Sequence, residues 1–124
     1  MSLELEIRKL YKDDGEDERV AIYVIEDCDL GNYVITDATF GKQGGSSNLF
    51  RHVFEFPTYE VKKDEWVVLY TKKGRRSKKG NTHFFYWNVD HNVWNDDRDT
   101  VTLLKIAAFQ KKNFSSILQS SSKK

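Results

Sequence analysis

Short runs of β-branched and aromatic residues, separated by charged or turn-forming residues, constrain the fold of this chain more than any other feature. They lie at residues 20–25, 33–36, 52–56, 66–70, 84–87 and 100–106. The run at 66–70 (WVVLY) has no polar interruption, so we expect it to be covered on both faces. In the run at 84–87 (FFYW), alternate rings should point to opposite faces of a sheet. Strands with turn signals at roughly 8–12 residue spacing are typical of an all-β sandwich or barrel.

The N-terminal segment fits two patterns. Leu3, Leu5 and Ile7 alternate with charged residues, as in a strand. Leu3 and Ile7 also fall on one helical face with Leu10. Because every neighbouring run reads as a strand, we predict a strand here too.

The length of 124 residues allows one modest core and is too short for two. We predict one domain over residues 1–110, followed by a polar Ser/Lys-rich tail over residues 111–124. The chain has one Pro and one Cys, Cys28, which excludes an intrachain disulfide framework and a four-thiolate zinc site.

No apolar run approaches the ~20 residues that a membrane-spanning helix needs. Residues 1–6 lack a basic stretch followed by an apolar one, so we expect no signal peptide. A free Cys28 also suits a reducing compartment. We therefore predict a cytoplasmic protein, with export as the alternative if a signal peptide precedes this sequence.

The net charge of +1 hides a strong sorting of charges along the chain. Residues 13–18 contain five acids, Glu26, Asp27 and Asp29 form a second acidic group, and residues 96–99 contain three acids. Residues 72–79, by contrast, contain six cations and no acid. Because like charges repel one another, we interpret each block as a loop or solvated turn.

The basic block needs more than a structural explanation. It lies within residues 71–81, which we predict to be a hairpin loop joining the strands at 66–70 and 84–87. Six cations in that loop repel one another, and an ordinary turn does not need them. We hypothesise a mobile basic finger for nucleic acid, acidic protein or anionic lipid. Its candidate binding residues are Lys72, Lys73, Arg75, Arg76, Lys78 and Lys79. The alternatives are a solubilising loop and a loop that folds onto the protein's own acidic clusters.

Four segments resemble, in order, the motifs of a known family. Residues 93–104 (VWNDDRDTVTLL) resemble W-N-(D/N)-x-(G/R)-D-x-x-x-L, and residues 30–37 (LGNYVITD) resemble L-S-G-W-x-I-x-D with Tyr33 in place of Trp. Residues 54–57 (FEFP) resemble Y-x-F-P, and residues 65–70 (EWVVLY) resemble G-E-Y-V-V-V without the preceding Pro-Gly. Together they are similar to the lamin tail domain family, over about residues 18–106.

The resemblance implies an immunoglobulin-like β-sandwich of about seven to nine strands. It also implies a non-catalytic adaptor, because lamin-tail-like domains are generally interaction modules. Fold analogy does not identify the partner. Independently of the family, the 95–99 segment supplies turn-forming side chains. Trp94 before it and Val101 and Leu103 after it would bury apolar faces on either side of a hairpin.

Neither a metal nor a cofactor is predicted. The three histidines, His52, His83 and His91, have no close zinc-motif spacing, although the fold could still bring them together. We expect His52 at the core or its rim, and His83 and His91 near the two ends of the aromatic strand. The acids of 13–18 and 96–99 lack the spacing of a calcium loop and are interpreted as turns.

We therefore predict a non-catalytic interaction module that binds a protein or a nucleic acid, with the basic block as the candidate contact. One alternative is a structural domain that forms homo-oligomers through exposed edge strands. A less favoured alternative is a small metal-dependent hydrolase using His83, His91, Asp96 and Asp99, since no known catalytic motif is present.

Overall fold

A computed structural model describes residues 2–12, 17–37, 52–89, 91, 93–94 and 100–114. Within these ranges the chain forms ten strands and one 3-10 turn at Leu30–Asn32, which confirms the predicted all-β class. The strands are β1 Leu5–Tyr11, β2 Arg19–Val24, β3 Cys28–Asp29, β4 Tyr33–Thr36, β5 Val53–Glu55, β6 Glu60–Val61, β7 Trp66–Tyr70, β8 Ser77–Lys79, β9 Thr82–Tyr86 and β10 Thr102–Lys105. The predictions for residues 13–16, 96–99 and 115–124 lie outside the described residues.

The predicted strands are found at or close to their expected positions, and the N-terminal segment is a strand, as its sequence context favoured. The described residues contain more strands than the seven to nine expected, because β3, β6 and β8, with only two or three residues each, add to the strands predicted from the apolar runs. Such short pairings follow from tertiary contacts and leave little periodic signal in a sequence.

The largest sheet has five strands in the order β1-β2-β7-β9-β8. The predicted hairpin between the strands at 66–70 and 84–87 is wrong, because β7 and β9 pair in parallel. The chain leaves β7, crosses the end of β9, and returns along its far side as β8, antiparallel to β9. A turn at Gly80, whose φ of 62° suits glycine, then leads into β9. The interpretation of 71–81 as a loop is therefore wrong for Ser77–Lys79.

A second layer consists of a three-stranded sheet in the order β10-β4-β5 and a two-stranded sheet of β3 and β6. One buried apolar cluster joins the layers, as in a β-sandwich. The five-stranded sheet contributes Leu5, Val20, Ile22, Val24, Val67, Leu69 and Phe85, and β4 contributes Tyr33 and Ile35. Trp94 is also fully buried in this cluster, as predicted, and its indole N–H donates to the carbonyl of Thr100.

Glu18 is a fully buried carboxylate at the start of β2. Its Oε1 accepts hydrogen bonds from the Thr71 hydroxyl at 2.9 Å and the Val93 amide at 2.6 Å, and its Oε2 accepts one from the Trp94 amide at 2.8 Å. The interpretation of residues 13–18 as a solvated turn is therefore wrong at Glu18. The donors satisfy its oxygens and tie three distant segments together at one end of the five-stranded sheet.

None of the described residues belongs to a helix that is long and apolar enough to span a membrane.

Candidate nucleic-acid interface

The outer face of the five-stranded sheet carries a row of aromatic side chains. In β2, β7 and β9 every second residue is buried in the core, so the residues between them point away from it. Cross-strand pairing places the residues of the neighbouring strands on the same side. The outward aromatic residues, called the aromatic face, are Tyr11, Tyr23, Trp66, Tyr70, Phe84 and Tyr86. All are half-buried, so their rings keep accessible surface.

The rings of the aromatic face contact one another across strands. Tyr23 and Trp66 are opposite residues of β2 and β7, and their centroids lie 5.3 Å apart in an edge-to-face arrangement. Tyr70 and Tyr86, opposite each other on β7 and β9, are stacked at 5.2 Å with an interplanar angle of 8°. Aromatic pairs of this kind hold the rings in fixed positions on a sheet surface.

Cationic side chains lie directly over these rings. The Arg8 guanidinium is 4.3 Å from the ring centroid of Tyr23, and the Arg19 guanidinium is 4.0 Å from that of Tyr11. Arg8 also pairs with the carboxylate of Glu6 at 2.7 Å, an exposed contact of small energetic weight. The face therefore combines positive charge with stacked π surfaces.

The first part of the basic block is anchored to the same face. The Lys72 ammonium lies 5.0 Å from the Tyr70 centroid and 3.7 Å from a carboxylate oxygen of Asp17. The Gly74 backbone lies so close to the Tyr86 ring that an added Cβ would come within 2.4 Å of it. The Gly74 amide also donates to the side chain of Asn88 at 2.9 Å. This part of the block is thus held in place, unlike the mobile finger that the sequence suggested.

The last part of the block is divided between two sides of the sheet. Because Lys79 pairs with Thr82, it lies on the outer side with the aromatic face. Lys78 pairs with the buried His83 and so points to the opposite side. The strand alternation of β8 therefore separates two residues that the sequence placed in one basic patch.

The three remaining basic residues are exposed at the edge of the sheet. The Arg76 guanidinium is 5.3 Å from the centroid of the Tyr59 ring, on the side away from the aromatic face. Lys73 and Arg75 are exposed residues on the segment that crosses the end of β9. The predicted basic residues thus form a rim around the β8 edge, and Lys72 and Lys79 connect that rim to the aromatic face.

His83 is a structural residue with both ring nitrogens engaged. Its Nε2 lies 2.8 Å from Glu65 Oε1, and its Nδ1 lies 2.8 Å from the Tyr59 hydroxyl. Burial raises the pKa of Glu65, but hydrogen bonds from the Lys62 amide and from His83 outweigh it, and the pKa lies below its usual value. His83 is the second residue of β9, so it lies near one end of the aromatic strand, as predicted, and its two side-chain contacts account for its burial.

The fold brings together two other histidines that are far apart in the sequence. The Nε2 atoms of His52 and His91 are 3.3 Å apart, and His52 is half-buried, as expected of a residue at the rim of the core. The hydrolase alternative required His83 and His91 in one site with Asp96 and Asp99. His91 pairs with His52 instead, and the two acids lie outside the described residues.

The sequence interpretation missed most of the aromatic face. The WVVLY run was expected to be covered on both faces, but Trp66, Val68 and Tyr70 are only half-buried. The residue types at the two ends of this run did indicate partial exposure. Tyr and Trp combine a large apolar surface with a polar group, which suits a half-exposed position. Arg8 and Arg19 gave no such signal, since only the fold puts their guanidinium groups over the rings: Arg8 lies at the register shift between Ile7 and Lys9, and Arg19 pairs with Tyr11.

Comparison of the chain with models of protein families, with curated proteins and with solved structures gave no match.

Proposed function

We propose that this domain is a non-catalytic module that binds single-stranded nucleic acid on the outer face of its five-stranded sheet. The observation that carries the proposal is the coincidence of half-exposed rings and cations on one surface, with Arg8 over Tyr23 and Arg19 over Tyr11. Sequence-tolerant binding of single strands combines base stacking on aromatic side chains with cations that track the phosphates.

The dimensions of the face suit a short oligonucleotide. Neighbouring strands are about 4.8 Å apart, so the rings from β1 to β9 extend over three such spacings, roughly 14 Å. Unstacked bases could lie on Trp66 and on the Tyr70–Tyr86 stack while phosphates approach Arg19 and Lys72. Duplex DNA keeps its bases stacked inside and would meet only the cations. We therefore expect a preference for single strands.

The basic rim contributes charge beside this face. Lys73 and Arg75 are exposed, and Lys79 lies on the outer side of the sheet. These cations would contact phosphates without reading base sequence, and their contribution would weaken as salt rises. The ion pair between Lys72 and Asp17 shows that acidic residues partly offset the rim, in line with the modest net charge.

Edge pairing into homo-oligomers receives less support. The edge strand β8 has the sequence Ser-Lys-Lys with all three residues exposed, and the other edge, β1, exposes Glu6, Arg8 and Lys9. Charged side chains, and lysine above all, discourage the pairing of sheet edges. A binding module is also the function that the resemblance to lamin tail domains implies, and membership of that family remains a proposal.

Fluorescence anisotropy with a labelled 12-nucleotide oligothymidylate tests the proposal. At 50 mM salt the wild type should bind, and Tyr70→Ala should weaken binding about 5- to 100-fold, the loss expected for one stacked base. Phe109→Ala is the matched control, because Phe109 is 77% exposed and lies outside the five-stranded sheet. Undetectable wild-type binding, or equal losses in the two variants, would contradict the proposal.

The basic rim is tested separately with the double variant Lys73→Ala/Arg75→Ala over a salt series from 50 to 200 mM. Loss of phosphate contacts should lower the slope of log affinity against log salt by about one to two. Lys62→Ala is the control, because Lys62 lies in the turn before β7 and does not belong to the basic block. Its ammonium is 3.8 Å from the carboxylate of Asp27. An unchanged slope in the double variant would confine binding to the aromatic face and exclude the rim.

A further inference from the structure

Three polar residues from separate segments meet beside the second layer. Asp37 directly follows β4, His52 precedes β5, and His91 lies after β9. Asp37 Oδ2 is 2.9 Å from His52 Nδ1, and Asp37 Oδ1 accepts a hydrogen bond from the His52 amide at 3.0 Å. The Asp37 side chain is only 6% exposed, so its two contacts fix the position and tilt of the His52 ring.

The other nitrogen of His52 faces His91. The Nε2 atoms are 3.3 Å apart, the ring centroids are 5.3 Å apart, and the ring planes meet at 57°. As a hydrogen bond this contact is long, beyond the about 2.7–3.2 Å typical of N–H···O bonds. Two imidazole nitrogens bound to one tetrahedral zinc ion at 2.0–2.1 Å are separated by about 3.3–3.4 Å. The observed spacing thus matches an edge of a zinc coordination tetrahedron.

We propose that His52 and His91 bind a divalent transition-metal ion through their Nε2 atoms, with Asp37 as the carboxylate that orients His52. A carboxylate on the far nitrogen of a metal-binding histidine is the usual arrangement, because it fixes the tautomer and makes the imidazole a better ligand. This site departs from the expectation, drawn from histidine spacing alone, that the chain binds no metal.

The remaining coordination positions would be taken by water or by another exogenous ligand. Among the described residues, no group of three or more His, Cys, Asp or Glu side chains could surround an ion. A site with two protein ligands binds metal less tightly than a closed structural site and leaves positions open to an exogenous ligand. Imidazole suits zinc, copper and nickel, with copper(II) the tightest by the general affinity order.

Metal binding here would join two parts of the fold. His52 leads into β5 of the three-stranded sheet, whereas His91 follows the five-stranded sheet. The ion would therefore link the two layers of the sandwich at this end and stabilise the folded state in proportion to its occupancy. None of its three residues belongs to the aromatic face, so zinc binding is measured separately from the proposed nucleic-acid binding.

Zinc chloride titrated into the full-length protein tests the proposal, with calorimetry for affinity and NMR for location. Zinc should shift the imidazole signals of His52 and His91 and leave those of His83 in place, since its two nitrogens are already engaged. The NMR measurement uses the wild type alone and does not depend on any variant folding.

Variants give the second readout. Asp37→Asn should weaken zinc binding about 10- to 100-fold, and His52→Gln and His91→Gln by at least as much. His83→Gln is the matched histidine control and should keep the wild-type affinity, with its fold checked by circular dichroism. Absence of wild-type binding at submillimolar zinc, shifts confined to His83, or unchanged affinity in both His52→Gln and His91→Gln would overturn the proposal. In those cases the two histidines form only a hydrogen-bonded pair.

Discussion

The two faces of the five-stranded sheet are built from the same strands and present different kinds of side chain. Toward the core, β2 and β7 present Val20, Ile22, Val67 and Leu69, all with 0% exposure. Toward the outside, the same strands present half-buried aromatic residues with arginine and lysine side chains over them. Under the proposed function, alternation along a strand separates folding from binding: aliphatic residues stabilise the core, while rings and cations would contact the nucleic acid.

The two faces also differ in how much a single side chain contributes to the stability of the fold. Each inner side chain belongs to one buried cluster, so its loss leaves a cavity that the neighbours fill only in part. Outer side chains are only half-buried, so water can replace part of a lost contact. We therefore expect substitutions inside to change stability and substitutions outside to change binding.

The largest expected loss of stability is at the end of the sheet, where a carboxylate is buried among mostly apolar inner side chains. Glu18→Ala removes the acceptor of three hydrogen bonds and leaves two buried amides without it, so it should lower the free energy of unfolding by about 3–5 kcal/mol. Urea unfolding measures the loss. Asp17→Ala is the control, because this exposed neighbour should change stability by no more than about 0.5–1 kcal/mol. A loss below about 1 kcal/mol for Glu18→Ala would contradict its structural role.

The next test compares identical changes on the two faces. Val67 is fully buried and Val68, the next residue of β7, is half-buried on the outer face. Val67→Ala should cost about 2 kcal/mol of stability, because it removes buried methyl groups and leaves a cavity, whereas Val68→Ala should cost less than about 1 kcal/mol. Thermal and urea unfolding of both variants measure the difference. Equal losses would show that something covers the outer face as fully as the core.

A smaller effect is expected where the basic block contacts the aromatic face. Gly74→Ala would place a Cβ within 2.4 Å of the Tyr86 ring, so the ring or the segment must shift. The expected loss of stability is about 1–2 kcal/mol. Weaker oligothymidylate binding should accompany it, because the Tyr70–Tyr86 stack is disturbed. The exposed neighbour substitution Ser77→Ala should alter neither quantity, and wild-type behaviour of Gly74→Ala would show that the segment is not anchored there.

The smallest effect is expected from a pH-sensitive contact between the layers. Hydrogen bonds from Tyr33 and then from Lys105 lower the pKa of Glu4 below its usual value. Its contribution to stability is therefore complete above the usual Glu pKa of about 4.3 and is lost as pH falls through the lowered folded-state value. Because Glu4 is partly exposed, the contribution should stay below about 1 kcal/mol. Between pH 6 and pH 3, Glu4→Gln should lose less stability than the wild type. Parallel curves of unfolding free energy against pH for the two proteins would show that Glu4 does not contribute to the pH dependence.

The sequence predicted the strands well and their connections less well. Runs such as residues 33–36 and 66–70 carry a strong local signal, and the structure has strands with those bounds. The parallel pairing of β7 and β9 has no local signal, because it depends on where the chain goes after Tyr70. A long basic segment looked like a hairpin loop, although its last residues form a strand on the far side of β9.

The candidate interface was predictable only in part for the same reason. The basic block was recognised as unusual from its composition, but strand alternation divides its members between two sides of the sheet. Arg8 and Arg19 looked like ordinary charged residues until the fold placed them over Tyr23 and Tyr11. Similarly, histidine spacing concealed the contact between His52 and His91, since 39 residues separate them in sequence.

The most direct test of the central idea is NMR mapping of the wild type as unlabelled 12-nucleotide oligothymidylate is added at 50 mM salt. The signals of Tyr23, Tyr70 and Tyr86 and the indole N–H of Trp66 should shift, whereas core signals such as those of Ile35 in the second layer should remain in place. Shifts confined to the three-stranded sheet, or no shifts at millimolar oligonucleotide, would contradict the assignment of the outer face as a nucleic-acid interface.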